Sequence, residues 1–568
     1  MMKIFLSLFL ILISSILYGQ ERFLANPVKI PMLLSASFGE LRNNHFHSGI
    51  DIKTQGVTGI PVYSVADGHV SRISVSPAGF GKALYVEHPD GTTSVYGHLE
   101  NFSNAIEQWV RNIQYEKKSF RIDIPVTADK FPVKKDELIA FSGNTGSSGG
   151  PHLHFEIRDT ETEKPLNPLL FNFPVTDKTP PRIYSLLVVP LSAHSHVNSG
   201  TFKKVYPVEF SGGKYQLQGK PVIEAFGELG FAIQANDFFD GSANKCGINY
   251  LEMRVDGERR FLYQMNQFSF DETRYINSFT DYEMHISKNQ WYQKTWVDEG
   301  TRWANYSFAF KKGRVKINDE KTHRIQIVAK DSHGNRAELE FDIAGKFIEL
   351  QPVQENFTAL FKHAGPNQWE SDGFYIETQE GSFYTDLKFQ YKKIPRREGL
   401  YSDIHVIHKN TVPIHNNVKI KIKTIGLPEL LQPKSLMVSV DTITGKFQAA
   451  GGENSNGWVI AGIRTFGNYA VAVDTVPPQI IPLSIRDKNS LTESQRIRFK
   501  ITDNLSGIDK IEGTIDGQWA LFEYDQKSNT ITHYFDKERF ETGKRHQFVL
   551  KVADYKQNES IYEATFWK

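Results

Sequence analysis

The chain repeats itself, and that duplication constrains its fold more than any other feature. "DKTPPRI", starting at Asp177, and "DTVPPQI", starting at Asp474, share the pattern Asp-x-x-Pro-Pro-x-Ile. Two more matches follow each copy in the same order. "GINYLEMRVDG" (Gly247 to Gly257) aligns without gaps to "GIDKIEGTIDG" (Gly507 to Gly517), and "IVAKDSHGN" (Ile327 to Asn335) matches "KVADYKQN" (Lys551 to Asn558) with one residue of slippage. Three ordered matches mark an internal repeat. The repeated runs alternate apolar and polar residues between Asp, Gly and Asn turns, the pattern of half-buried antiparallel strands, so each copy is expected to be an immunoglobulin-like β-sandwich.

At 568 residues the chain is too long for one core, and about 150 residues per domain suggests about four. Between the two copies, "NVKIKIKTI" and "GWVIAGIRTFGNYAVAV" also read as strands and predict a third sandwich. Ahead of them, "VYSVADGHVSRISV", "KALYVEHPDGTTSVYGHL" and "HLHFEIRD" are strand runs between turns; "NFSNAIEQWVRNI" is the best helical candidate, inside an interruption from about Asn101 to Phe131. The expected class is all-β, with blocks at 20–173, 174–346, 347–473 and 474–568.

Residues 1–19 read as a secretory signal peptide: Lys3 is followed by an apolar run from Ile4 to Leu17 and by the small residue Gly19. The rival is an uncleaved anchor, because Leu17 is larger than usual for its position. No other run is apolar enough to span a bilayer, so an exported, periplasmic, cell-envelope or secreted protein is expected. Its single cysteine, Cys246, permits no intramolecular disulfide. Lys+Arg 66 against Asp+Glu 65 gives a net charge of +1, which offers no general attraction to nucleic acid.

The chemistry concentrates in the first block, where "GGPHLHFE" carries His152 and His154. Residues i and i+2 of a strand face one side, roughly 7 Å apart. The two imidazoles therefore share a face, while Leu153, Phe155 and Ile157 point to a core. "HFHSGIDIKT" adds His47 and Asp51, with Ile50 and Ile52 on the opposite parity, and "SVYGHLE" adds His98, which alternates less cleanly with its neighbours. A catalytic zinc site has three protein ligands and one open position, so five candidates are too many, and spacing alone does not say which histidine is spare.

Other features carry less. His194 and His196 repeat the H-x-H spacing in a Ser/Asn-rich loop with no carboxylate motif nearby and read as decorative. His69 and His88 lie beside turn signals and are expected to be exposed. Asp237, Asp240 and Asn244 offer oxygen ligands for calcium but lack the spacing of a calcium loop, so a solvated turn is expected. The run "GNTGSSGG" lacks the lysine of a phosphate-binding loop and precedes a strand; its small residues suit a groove wall approached by an extended peptide, or simply a tight turn.

"HFHSGIDI", "GIPVYSVADGHV", "YVEHPDGTTSVYGHL" and "GNTGSSGGPHLHFEIRD" resemble the successive motifs of the lysostaphin/LytM-type zinc endopeptidases of bacterial peptidoglycan. That resemblance implies a β-sheet peptidase domain at 20–173 holding Zn2+ through His47, Asp51 and His154, with His98 and His152 as catalytic histidines off the metal. His45 lies outside the family pattern and is expected at the rim or behind the ligands. The implied reaction is attack of a zinc-activated water on a peptide cross-link, with His98 or His152 moving a proton. Two alternatives stand beside it: a non-enzymatic LytM-type regulator or scaffold of wall hydrolases, and a wall-binding or adhesive stalk whose C-terminal sandwiches meet a cell-wall or protein partner.

Overall fold

The computed structural model describes residues 24–350, 356–536 and 539–568. The segment read as a signal peptide lies outside them. Strands dominate throughout, with few helices, so the chain is all-β. Among the described residues no helix is long and apolar enough to cross a membrane.

The first block is built on one antiparallel sheet. Its strands are β1 (Leu34–Ala36), β2 (Ile50–Lys53), β3 (Gly68–Val75), β4 (Lys82–Glu87), β5 (Thr92–Phe102), β6 (Leu138–Ser142) and β7 (His152–Asp159). They lie in the order β1-β2-β7-β5-β4-β3, with β6 on the far end of β5. Alternation decides which side faces the core: Ile50, Ile52, Leu153, Phe155 and Ile157 are at most 1% exposed and join one cluster with Tyr96, Leu99 and Ile73. The polar residues between them face the other way.

The core of the first block interlocks with that of the second. Phe38 and Phe46, from the turn before β2, sit in the cluster of Phe231, Phe279 and Trp303, and the Phe46 ring stacks on Trp303 at 4.8 Å. In exchange, Phe239 and Cys246 of the second block pack into the first. His47 thus follows a residue anchored in the neighbouring core.

The duplication in the sequence is also one of topology. Strands Ile223–Asn236 and Arg496–Thr502 each pair with the strand after their Pro-Pro turn, and Tyr250–Val255 and Ile508–Ile515 each pair with Thr322–Lys330 and Arg545–Asp554 respectively. Between the copies lie two five-stranded sheets around a shared cluster of Phe374, Ile420, Val459 and Val471.

The interruption holds helix α1 (Asn104–Lys117), which buries Ile106 and Val110, and the strand Ile122–Pro125, which pairs with β3. Its outer face receives the last block. The Tyr115 ring meets Trp519 edge-on at 5.3 Å, Arg539 donates to Asn112, and Arg111 lies 3.8 Å from Asp536. Lys527 donates to the Asn144 carbonyl, and buried Lys82 reaches Glu523 at 3.5 Å. The insertion is a seat for the C-terminal block.

Three sequence expectations are overturned. His88 is buried, with Nδ1 2.9 Å from the Asp67 carbonyl and Nε2 2.8 Å from Ser94 Oγ, because the turn beside it folds onto the sheet. His196 is fully buried in a two-residue strand and donates from Nε2 to the Lys346 carbonyl; His194 alone is exposed. Asp237 is 1% exposed at the end of its strand, so the turn is solvated only further along, at exposed Asn244.

Candidate metal centre

Strand pairing brings the polar faces together. His154 on β7 sits opposite Asp51 on β2 and Gly97 on β5, and His152 sits opposite Lys53. A side chain at position 97 would run into His154, since a Cβ there lies 3.3 Å from His154 Cβ; glycine leaves room for the imidazole. The Phe80 ring stacks on the His154 imidazole at 4.8 Å.

Three donor atoms converge. His154 Nδ1 lies 2.9 Å from Asp51 Oδ1, His47 Nε2 lies 3.1 Å from the same oxygen, and His47 Nε2 is 3.1 Å from His154 Nδ1. Ligands about 2.0 Å from a tetrahedral zinc ion stand about 3.3 Å apart, so the triangle is close to what the ion requires. The outer nitrogens are also committed. His47 Nδ1 donates to the Ser37 carbonyl at 2.8 Å, and His154 Nε2 lies 3.0 Å from Glu156 Oε1. Such partners fix the tautomer that turns a lone pair toward a metal. The residues therefore fit Zn2+, in a set of two imidazoles and one carboxylate.

The electrostatics are those of a cation-seeking pocket. Burial works against charge on Asp51, yet His47, His152 and His154 hold its carboxyl well below the usual range. Burial likewise opposes charge on His154, but hydrogen bonds to Asp51 and Glu156 carry it up to about 9. A metal ion competes with that proton for the same lone pair. Burial opposes ionisation of Glu156 too, and the Arg158 guanidinium, with Nε donating to Glu156 Oε2 at 2.6 Å, brings it down to about 2.

His98 and His152 stand beside the triangle, with ring centroids 4.8 Å apart. His98 reaches this place through a β-bulge. Lys82 pairs with Leu99 and Leu84 with Tyr96, so Ala83 faces both Gly97 and His98, and His98 adopts a left-handed φ of 57°. The bulge re-aims the side chain into the cleft and explains its imperfect alternation in the sequence. His98 Nδ1 donates to the Thr145 carbonyl at 2.9 Å and His152 Nδ1 to the Gly150 carbonyl at 2.8 Å, leaving each Nε2 as an acceptor. Burial first, then charge at His154 and His152, lowers His98 to about 3. His152 Nε2 is 3.5 Å from Asp51 Oδ1.

All five predicted residues meet at one cleft; His45 is exposed, with Nδ1 2.9 Å from the Asn43 carbonyl. Glu156, Arg158 and Phe80 went unread in the sequence. The first two carried a usable signal, since they continue the i, i+2 series of His152 and His154 along β7. The glycine loop divides its labour: Gly146, at φ 68°, lies so close to Gly81 that no side chain fits, whereas Gly149 and Gly150 open onto free space.

The sequence model of peptidase family M23 matches residues 45–115, a span that includes His47, Asp51 and His98. The first block thus carries an M23 peptidase domain. Over 133 residues the chain is 32% identical to the "DD-carboxypeptidase/endopeptidase Mpg" of Neisseria meningitidis serogroup B, covering 23% of this chain and 24% of that one. Over 111 residues it is 32% identical to "Peptidoglycan DD-endopeptidase ShyB" of Vibrio cholerae, covering 20% of each. The chain thus spans about a quarter or less of the length of these relatives. Among solved structures, a zinc-containing peptidase from Vibrio cholerae matches at 28% identity and a TM-score of 0.20, covering 26% of this chain and 39% of that one. Outside the M23 domain, residues 358–474 match a Zu5-like domain.

Proposed function

We propose that the chain is an exported zinc metalloendopeptidase that hydrolyses peptide cross-links of bacterial peptidoglycan. The observation that carries this reading is the convergence of His47 Nε2, Asp51 Oδ1 and His154 Nδ1 beside two further imidazoles with free acceptor nitrogens. Zinc held by these three residues supplies a positive centre that polarises a carbonyl and lowers the pKa of water to about 7. His98 Nε2, left as an acceptor by the Nδ1 hydrogen bond to Thr145, is placed to take a proton from water and return it to the leaving amine. His152 Nε2 lies on the same rim and orients either the water or the developing oxyanion. Gly149 and Gly150 leave the cleft wall open to an extended peptide.

The 32% identity to proteins named as endopeptidases supports the substrate class. A scaffold that only binds a partner hydrolase has no use for a complete donor set whose outer nitrogens are fixed, which favours catalysis over the regulatory reading. The test is release of cross-linked peptide fragments from purified peptidoglycan. Activity is expected from the zinc-loaded chain and lost in His154→Ala and after chelation; no release from any wall type contradicts the proposal.

A further inference from the structure

The duplicated blocks each bring three aspartates to the end that faces the preceding block. In the fourth block these are Asp474, Asp503 and Asp554, and in the second Asp177, Asp237 and Asp331, at matching places beside matching strands. The supporting hydrogen bonds repeat as well. Asn335 Nδ2 donates to the Asp177 carbonyl at 3.1 Å and to Asp331 Oδ2 at 2.7 Å, and Asn558 Nδ2 donates to the Asp474 carbonyl at 3.0 Å and to Asp554 Oδ2 at 2.7 Å.

The two copies differ in how negative charge is met. In the fourth block Lys556 stands two residues after Asp554 and interacts with Asp474 and Asp554, Lys434 Nζ donates to Asn558 Oδ1 at 2.7 Å, and Ser506 N donates to Asp474 Oδ2 at 2.8 Å; Asp503 Oδ1 alone has no partner. In the second block the position of Lys556 is taken by His333. Among the described residues no lysine or arginine forms an ion pair with the carboxylates there, and Asp177 Oδ2 and Asp237 Oδ1 are buried without a hydrogen-bond partner, on residues 7% and 1% exposed. A buried carboxylate oxygen left in this state is unfavourable unless a cation or a proton meets it.

The histidine fits the gap as a ligand. His333 Nε2 donates to the Val175 carbonyl at 3.0 Å, so Nδ1 carries the lone pair, and it lies 3.8 Å from Asp177 Oδ2. Donor atoms of Asp177, Asp331 and His333 all fall within 4.8 Å of one another. Asp237 stands outside that group of three but is buried close by: burial and then the charges of Asp331 and Asp177 push its carboxyl up to about 8. The His333 side chain is 26% exposed, which leaves an entry path.

We propose that Asp177, Asp237, Asp331 and His333 form a second divalent-metal site, separate from the peptidase cleft, at the seam between the first and second blocks. An imidazole with three carboxylates suits zinc or manganese better than calcium. Val175 packs into the core of the first block, so the hydrogen bond from His333 to its carbonyl ties the site to that core.

The test uses the full chain, stripped of metal and then loaded with zinc, manganese or calcium alone, with bound metal per chain measured after desalting and melting followed in parallel. With zinc the wild type is expected to hold two ions. Asp237→Asn and His333→Ala are expected to lose one while keeping the ion of the cleft, with a smaller metal-dependent rise in melting temperature; Asp503→Asn, in the compensated copy, is expected to hold two. A wild type that holds one ion, lost in His47→Ala, with every cation overturns the proposal. So does an Asp237→Asn chain that is more stable than wild type with unchanged metal content.

Discussion

His154 Nε2 lies 3.0 Å from Glu156 Oε1, two residues along the same strand, and Glu156 is in turn gripped by Arg158. The carboxylate holds the imidazole in the tautomer that turns Nδ1 to Asp51 and His47. Glu156→Gln keeps the shape and removes the charge. It is expected to weaken zinc binding by about 10- to 100-fold, measured by chelator competition, with activity restored by excess zinc. Unchanged zinc affinity would show that Glu156 only fills space.

Proton transfer separates from metal binding. His98→Ala is expected to lower kcat by about 100- to 10,000-fold while zinc content stays at the wild-type level. Parallel metal analysis and turnover of a cross-linked muropeptide decide it. Loss of zinc in this variant would place His98 among the ligands instead.

The interlocked cores make the peptidase dependent on its neighbour. Phe46→Ala removes the ring stacked on Trp303 and is expected to cost about 3–5 kcal/mol in denaturant unfolding. A fragment ending at Phe173 exposes Phe38 and Phe46 and loses Phe239 and Cys246 from its own core, so it is expected to unfold at lower denaturant than the full chain.

Acid acts through a different region. Burial lowers His405 to about 4 from its ordinary 6.5, and the Tyr391 hydroxyl donates to its Nδ1 at 2.7 Å. Because the folded value is depressed, the unfolded chain takes up the proton first as pH falls. The stabilisation is complete above about pH 6.5 and is lost toward pH 4, on the order of 3 kcal/mol in all. Unfolding of the wild type should show at least this slope, and His405→Gln should make it shallower, the remainder coming from His98, His408 and His415, which burial also lowers.

Much of the site was legible because strand alternation is a strict rule: Ile50 and Ile52 against Asp51, and Leu153 and Phe155 against His152 and His154, separate core from chemistry without any structure. His98 was harder to read because a bulge breaks that rule where it lies. The repeat was visible as motifs, yet the burial of Asp237 was not, because the loop after it has a turn's composition while Phe239, two residues on, packs against His333 and into the first block. Burial of His88 and His196 depends on contacts far along the chain, such as the Lys346 carbonyl, that local residue types do not encode. The seat on α1 for the last block was likewise invisible, since nothing near Tyr115 names Trp519 as its partner.

The central claim is that His47, Asp51 and His154 hold zinc for peptide-bond hydrolysis in peptidoglycan. Mass spectrometry of fragments released from defined cross-linked muropeptides by the full chain tests it most directly. Cleavage at a peptide bond of the cross-link is expected, abolished in His154→Ala and by chelation, and regained when zinc is returned to the wild type alone. Intact muropeptides after incubation with a fully zinc-loaded chain, or cleavage that survives in His154→Ala, would contradict it.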